Sequence, residues 1–247
     1  SGSSYPSNFT VFDGSLYFTA TDYIYTPTPL DGITNHGYEL WRYDGDSDPA
    51  LLADINSQFY TTGQTYGSSP EELTVMGGNL YFRANDGVSG TELWSYNGSY
   101  PATLGADIQL LTDIYPEIGN SYTQSLTPVN GIMYFGATTN GNDTYLYTFD
   151  PKSFATTQVF LMQNNLDDLQ QLGDVLVYCD TNGEAASSVW IYDPAKPVVE
   201  GVNPYDMNTF NDSISYAKIL MVQGNRVYLS ADNVNNGQEL WIYDFYK

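Results

Sequence analysis

The chain has 247 residues, 42% of them hydrophobic and 15% aromatic, which is enough for a packed core and too much for a disordered segment. Its 29 Asp and Glu against 7 Lys and Arg give a net charge of −22. That balance leaves no basic footprint for nucleic acid and disfavours an anionic membrane surface. No apolar run approaches the length of a bilayer span, so membrane insertion is not expected.

In chain order the sequence reads as five copies of one unit. Each copy has an apolar strand, a tight turn, an aromatic-rich strand, a polar loop and then Glu-Leu-Trp-x-Tyr-Asp or a variant. The first copy runs through residues 9–14, Leu16-Tyr-Phe-Thr-Ala20 and Glu39-Leu-Trp-Arg-Tyr-Asp44. The second has Leu80-Tyr-Phe-Arg-Ala84 and Glu92-Leu-Trp-Ser-Tyr-Asn97, and the third has Met133-Tyr-Phe-Gly-Ala137 and Tyr145-Leu-Tyr-Thr-Phe-Asp150. The fourth is more worn, with 175–179 and Val189-Trp-Ile-Tyr-Asp193. The fifth recovers the pattern in Val227-Tyr-Leu-Ser-Ala231 and Glu239-Leu-Trp-Ile-Tyr-Asp244. All four tryptophans, Trp41, Trp94, Trp190 and Trp241, share one position of the unit, which Tyr147 fills in the third copy. They are expected to pack between neighbouring sheets.

Gly and Asn at Gly14, Gly78, Gly131 and Asn225 supply the turns, and the flanking runs are β-branched or aromatic and too short for helices. Fourth strands are predicted at 50–55, 102–108, 156–162 and 197–202. A four-stranded meander repeated about every 50 residues predicts an all-β, five-bladed β-propeller. The predicted single domain spans 1–247, with blades near 8–56, 70–108, 124–162, 167–202 and 216–247. The last copy ends after its third strand, so that blade is expected to be three-stranded or completed by another segment. The chain starts at Ser1 without a methionine and is expected to be part of a larger chain or assembly.

The strings Leu-Tyr-Phe-x-Ala and Glu-Leu-Trp-x-x-Asp-Gly resemble the ELWxxDGT repeat of bacterial surface and secreted proteins. The strand order, with 149–151 and 192–194, is also kelch-like. The resemblance covers nearly the whole chain and implies a propeller at the cell surface or outside the cell. This sequence lacks the Thr after Asp-Gly and diverges most in the fourth copy.

Function is expected on the face formed by the strand 2–3 loops and the links between blades. The candidate ligand-binding residues there are Tyr23, Tyr25, His36, Tyr60, Tyr66, Tyr115, Tyr122 and Tyr205, aromatic faces set among polar residues. Asp44, Asp46 and Asp48 alternate as at the start of a calcium loop, so calcium is the cofactor expected there. The string departs from an EF-hand, with Pro49 in place of the turn glycine and Ile55 in place of the bidentate glutamate. His36 is the only histidine, which leaves little for a transition metal, and Cys179, the only cysteine, is expected to be a buried inert thiol. Asp22, Asp86, Asp180 and Asp232 recur near second-strand ends. They could serve a glycosidase, but loop capping is the first expectation. The expected function is a non-catalytic, extracellular binding or adhesion module for glycan or protein. The alternatives are a structural subunit of a surface layer or filament, and a glycosidase-like propeller.

Overall fold

The computed structural model describes residues 3–22, 35–58, 66–162, 165–181, 187–200, 202–207, 214–233 and 237–245. These form nineteen strands, with no α-helix among them. The first antiparallel sheet contains β1 (Ser7–Phe12), β2 (Ser15–Thr21), β3 (Tyr38–Tyr43) and β4 (Ala50–Ala53). The second contains β5 (Glu71–Met76), β6 (Asn79–Asn85), β7 (Thr91–Tyr96) and β8 (Ile108–Thr112). In the third are β9 (Gln124–Val129), β10 (Ile132–Thr138), β11 (Thr144–Asp150) and β12 (Ala155–Leu161). The fourth has β13 (Asn165–Leu172), β14 (Val175–Thr181), β15 (Ser187–Tyr192) and a two-residue β16 (Tyr205–Asp206). The fifth has three strands, β17 (Ile214–Gln223), β18 (Arg226–Asn233) and β19 (Gly237–Asp244). Within each sheet the strands pair in chain order, as a meander requires.

Two compact units result: Ser1–Thr123 with Thr138–Gly141, and Gln124–Ala137 with Asn142–Lys247. The repeat recurs at the level of individual pairs. Across strands two and three, Phe18 faces Trp41, Phe82 faces Trp94, Tyr178 faces Trp190 and Leu229 faces Trp241. A feature absent from the motif reading is a register shift in the first strand of every sheet. Asn8, Glu72, Ser125 and Tyr216 occupy the left-handed region there (φ 53, 61, 56 and 53). Bulges of this kind bend an edge strand away from further pairing.

Every strand alternates, so each sheet has two faces, here termed forward and back. The forward face of the first sheet carries Phe12, Tyr17 and Leu40, and it packs on the back face of the second, which carries Leu80, Phe82, Trp94 and Tyr96. In the second unit, Val129, Tyr134 and Leu146 of the third sheet pack on Leu176, Tyr178, Trp190 and Tyr192 of the fourth. Val177, Cys179, Val189 and Ile191 of the fourth pack in turn on Val227, Leu229 and Trp241 of the fifth. Each seam therefore joins a forward face to a back face at the same repeat positions, and burying each large side chain contributes roughly 1.5–3 kcal/mol. Trp94, Trp190 and Trp241 lie in these seams, as their spacing predicts. Burial in the last seam pushes the Cys179 thiol up to about 12, so the thiolate is not populated near neutral pH.

Two predicted strands are displaced. The apolar residues of 102–108 end in a turn where Thr103 C=O accepts from the N–H of Ala106 and Asp107, and pairing starts only at Ile108. Where a strand is predicted over 197–202, Val199 is bridged to Asn203 instead. The buried Asn203 amide donates to the carbonyls of Asp193, Lys196 and Pro197, so this loop is held by a side chain rather than by a ladder. The fourth strand is the short β16 that follows.

Candidate functional site

The first unit carries a cleft of about 610 Å³. Its walls are the link between the first and second sheets (Asn56, Gln58, Tyr66, Ser68), the β6–β7 turn (Asn85 to Thr91) and the link segment holding Ile118 and Tyr122. Glu71 of β5 and Arg83 of β6 form the floor. The Arg83 guanidinium is paired with the Glu71 carboxylate, and its Nη1 donates to Thr123 C=O at 3.1 Å. Tyr66 and Tyr122 remain 49% and 57% exposed. The cleft thus combines two aromatic faces with amide and charged hydrogen-bonding groups.

These walls are segments without sheet pairing, so something else must hold them. Glu39 of β3 is fully buried and accepts from the N–H of Ile55 (3.2 Å), Asn56 (3.3 Å) and Ser68 (2.7 Å), and from the Ser68 hydroxyl. Glu92 of β7, also fully buried, accepts from the N–H of Ile114 (3.0 Å), Tyr115 (3.4 Å) and Ser121 (3.2 Å). Each glutamate ties the start of a link to its end, behind the residues that line the cleft. Burial pushes both carboxyls up to about 7, against the lowering effect of these hydrogen bonds. Gln58 Nε2 donates to Gly87 C=O at 2.7 Å, joining the link to the turn. Close approach also fixes Gly90, with φ +74; a Cβ there would lie 1.8 Å from the Gly119 carbonyl oxygen.

The structure sorts the predicted site residues. Tyr66 and Tyr122 line one cleft. Tyr115 is half-buried, its ring lying over Gly119, where a Cβ would come within 2.4 Å. His36 is bound to Asp22, with Nδ1 2.5 Å from Oδ2 and its backbone N–H donating to Oδ1 at 2.8 Å. Tyr205 lies in β16, half-buried against the core between the fourth and fifth sheets, because pairing resumes there after the Asn203 loop. Tyr23, Tyr25 and Tyr60 lie outside the described residues.

Asp44, Asp46 and Asp48 occupy the exposed β3–β4 turn, at the other end of β3 from the cleft. Asp44 Oδ1 accepts from the N–H of Ser47 (2.9 Å) and Asp46 (3.1 Å), which holds its carboxyl below the ordinary range. Among the described residues, no three His, Cys, Asp or Glu side chains are gathered to hold a metal ion. In this structure Asp44 caps the turn that holds the three aspartates. Of the four second-strand aspartates, Asp86 caps its own turn through the N–H of Val88 and Ser89, and buried Asp180 accepts from Trp190 Nε1 at 2.9 Å.

Sequence reading gave no role to the glutamate of Glu-Leu-Trp. The available signal was a carboxylate on a strand otherwise made of buried residues.

No family model matches the chain, and no curated protein matches it. Solved structures do. The β-propeller domain of the Trilobed protease from Pyrococcus furiosus, described as having an open velcro topology, matches with TM-score 0.56 and 12% identity, over 100% of this chain and 71% of that one. The fold is a β-propeller. A Mycobacterium tuberculosis puromycin-hydrolyzing peptidase matches with TM-score 0.60 and 14% identity over 98% of this chain. Prolyl oligopeptidase B from Galerina marginata matches with TM-score 0.62 and 12% identity over 95% of it. This propeller spans only 36% and 31% of those two peptidase chains.

Proposed function

We propose that the five sheets are the blades of one propeller and that it is a non-catalytic binding module. Its ligand is an uncharged glycan, held in the cleft between Tyr66 and Tyr122. The observation that carries this reading is the pair of exposed tyrosine rings beside a floor of amide, carboxylate and guanidinium groups. Flat apolar faces take the C–H faces of a sugar, while oriented polar groups take its hydroxyls. Arg83 is already neutralised by Glu71, so the floor favours hydroxyls over a charged ligand. The high acidity fits a secreted or surface-exposed protein in a salty medium.

The test is a glycan-array screen followed by calorimetry on the best sugar. Tyr66→Ala and Tyr122→Ala are each expected to weaken binding tenfold or more, about 1.4 kcal/mol, with the melting temperature unchanged. A sugar that binds both variants as tightly as the parent chain would refute the placement.

A second reading is favoured by the peptidase neighbours: the propeller serves a catalytic domain and its cleft takes extended peptide. A peptide library that competes with the array sugars, or replaces them, would select it.

A further inference from the structure

The internal repeat supplies a control for the cleft floor. Ladder pairing places Ser7 opposite Thr19 in the first sheet, Glu71 opposite Arg83 in the second and Gln124 opposite Gly136 in the third. These pairs occupy one position of the unit, and of the three only the second is charged. The structural duty at that position is small. In the first sheet the buried Thr19 hydroxyl donates to Pro70 C=O, just before Glu71, and so ties the sheet to the link that follows. In the second sheet Arg83 Nη1 donates at 3.1 Å to Thr123 C=O, just before Gln124, and makes the same tie. A threonine is therefore enough. In the third sheet the position is a glycine, with Leu166 filling the space of its Cβ. The Arg83 and Glu71 side chains are 25% and 45% exposed, and ion pairs so placed add little to stability. The pair is surplus to the fold, and it opens on the cleft.

We infer that Glu71 and Arg83 together read a vicinal diol of the sugar, one hydroxyl donating to Glu71 Oε1 and its neighbour accepting from the Arg83 guanidinium. The inference rests on the glycan reading of the cleft and names what that ligand must carry. Bonding capacity supports it, because the wall amides are spent on the walls themselves. Asn56 Oδ1 accepts from Gln58 N–H at 3.2 Å, and its Nδ2 donates to Gly67 C=O at 3.3 Å. Gln58 Nε2 is held by Gly87 C=O. Asn85 Oδ1 accepts from Gly87 N–H at 2.7 Å, and its Nδ2 donates to Thr91 Oγ1 at 3.3 Å. On the floor, Arg83 Nε (3.0 Å) and Nη2 both donate to Glu71 Oε2, which leaves Oε1 without a partner among the described residues. A guanidinium carries five N–H groups, so Arg83 keeps donors beyond those given to Glu71 and Thr123. A charged acceptor beside a charged donor matches hydroxyls on adjacent ring carbons, and a lone hydroxyl would use only one of them.

The probes are the methyl pyranosides of glucose, galactose and mannose and their 3-deoxy counterparts, titrated by ligand-observed NMR. Removing the 3-hydroxyl keeps the other three hydroxyls but leaves no two on adjacent carbons. The parent chain is expected to bind at least one intact glycoside and to bind its 3-deoxy form about tenfold more weakly or worse. Glu71→Ser combined with Arg83→Thr rebuilds the pair of the first sheet, so the tie to Thr123 can persist. That double variant is expected to melt like the parent and to lose about tenfold or more in affinity for the intact glycoside. Equal binding of an intact glycoside and its 3-deoxy form overturns the inference and leaves the glycan reading standing. A folded double variant that binds as tightly as the parent does the same, as does a positive glycan array with no binding of any of the three glycosides. A blank array with no binding of the three overturns the reading and the inference together.

Discussion

Raising the pH from 5 to 8 is expected to weaken the fold, and Glu39 and Glu92 set the size of the loss. Both carboxyls titrate at about 7 in the folded chain, against an ordinary value of 4.5 when unfolded. A raised folded-state value means that the native chain binds the proton more tightly than the unfolded one. The stabilisation is therefore full below about pH 4.5 and is lost as pH rises through 7. At about 1.36 kcal/mol per pH unit between the two values, each glutamate accounts for roughly 3 kcal/mol. The carboxylates held low by turn N–H groups, such as Asp44 and Asp150, are already ionised throughout this window and contribute little slope. Urea unfolding at half-unit steps from pH 5 to 8 is the assay. The parent chain is expected to lose several kcal/mol, and Glu39→Gln about half as much, since one of the two titrating groups is gone. Equal slopes for the parent and Glu39→Gln would refute the assignment of this pH dependence to the buried clamp.

Trp94→Ala, in the seam between the first and second sheets and with Nε1 donating to Ala84 C=O at 3.0 Å, is expected to cost about 3–5 kcal/mol in urea unfolding. A cost below about 1 kcal/mol would contradict its placement in the seam. Gly90→Ala is expected to lower the thermal midpoint well beyond Gly14→Ala: both residues have positive φ, but only Gly90 would drive a Cβ into a neighbouring carbonyl.

The sequence made the sheets legible because three signals coincide in the first, second and fifth copies and two of them recur in the others. The turn glycines, the alternating aromatic strand and the Glu-Leu-Trp string each fix register, and a one-residue slip would turn Phe18 and Trp41 to the wrong face. Fourth strands were read less well for a physical reason. They have no invariant residue, so apolar content was the guide, and Val198 and Val199 are as apolar as any strand while the Asn203 amide holds them in a loop. Within the site, exposed tyrosines were found by residue type, yet Tyr115 and Tyr205 are packing residues of the same type. What separates them from Tyr66 and Tyr122 is tertiary: a glycine under the ring of Tyr115, and a strand register for Tyr205. The buried glutamates were hidden because a carboxylate in a strand ordinarily faces water, and only the fold brings the link N–H groups to it.

The directional seams also bear on how such a chain grows. Because in the three described seams one sheet covers the next with one kind of face, duplicating a repeat inserts a sheet whose two sides already match such neighbours. Deleting one leaves the flanking blades just as compatible. Repeat number can then drift through recombination with no new interface to evolve, and the worn fourth copy shows how far one blade's sequence can wander while its two faces keep their shape.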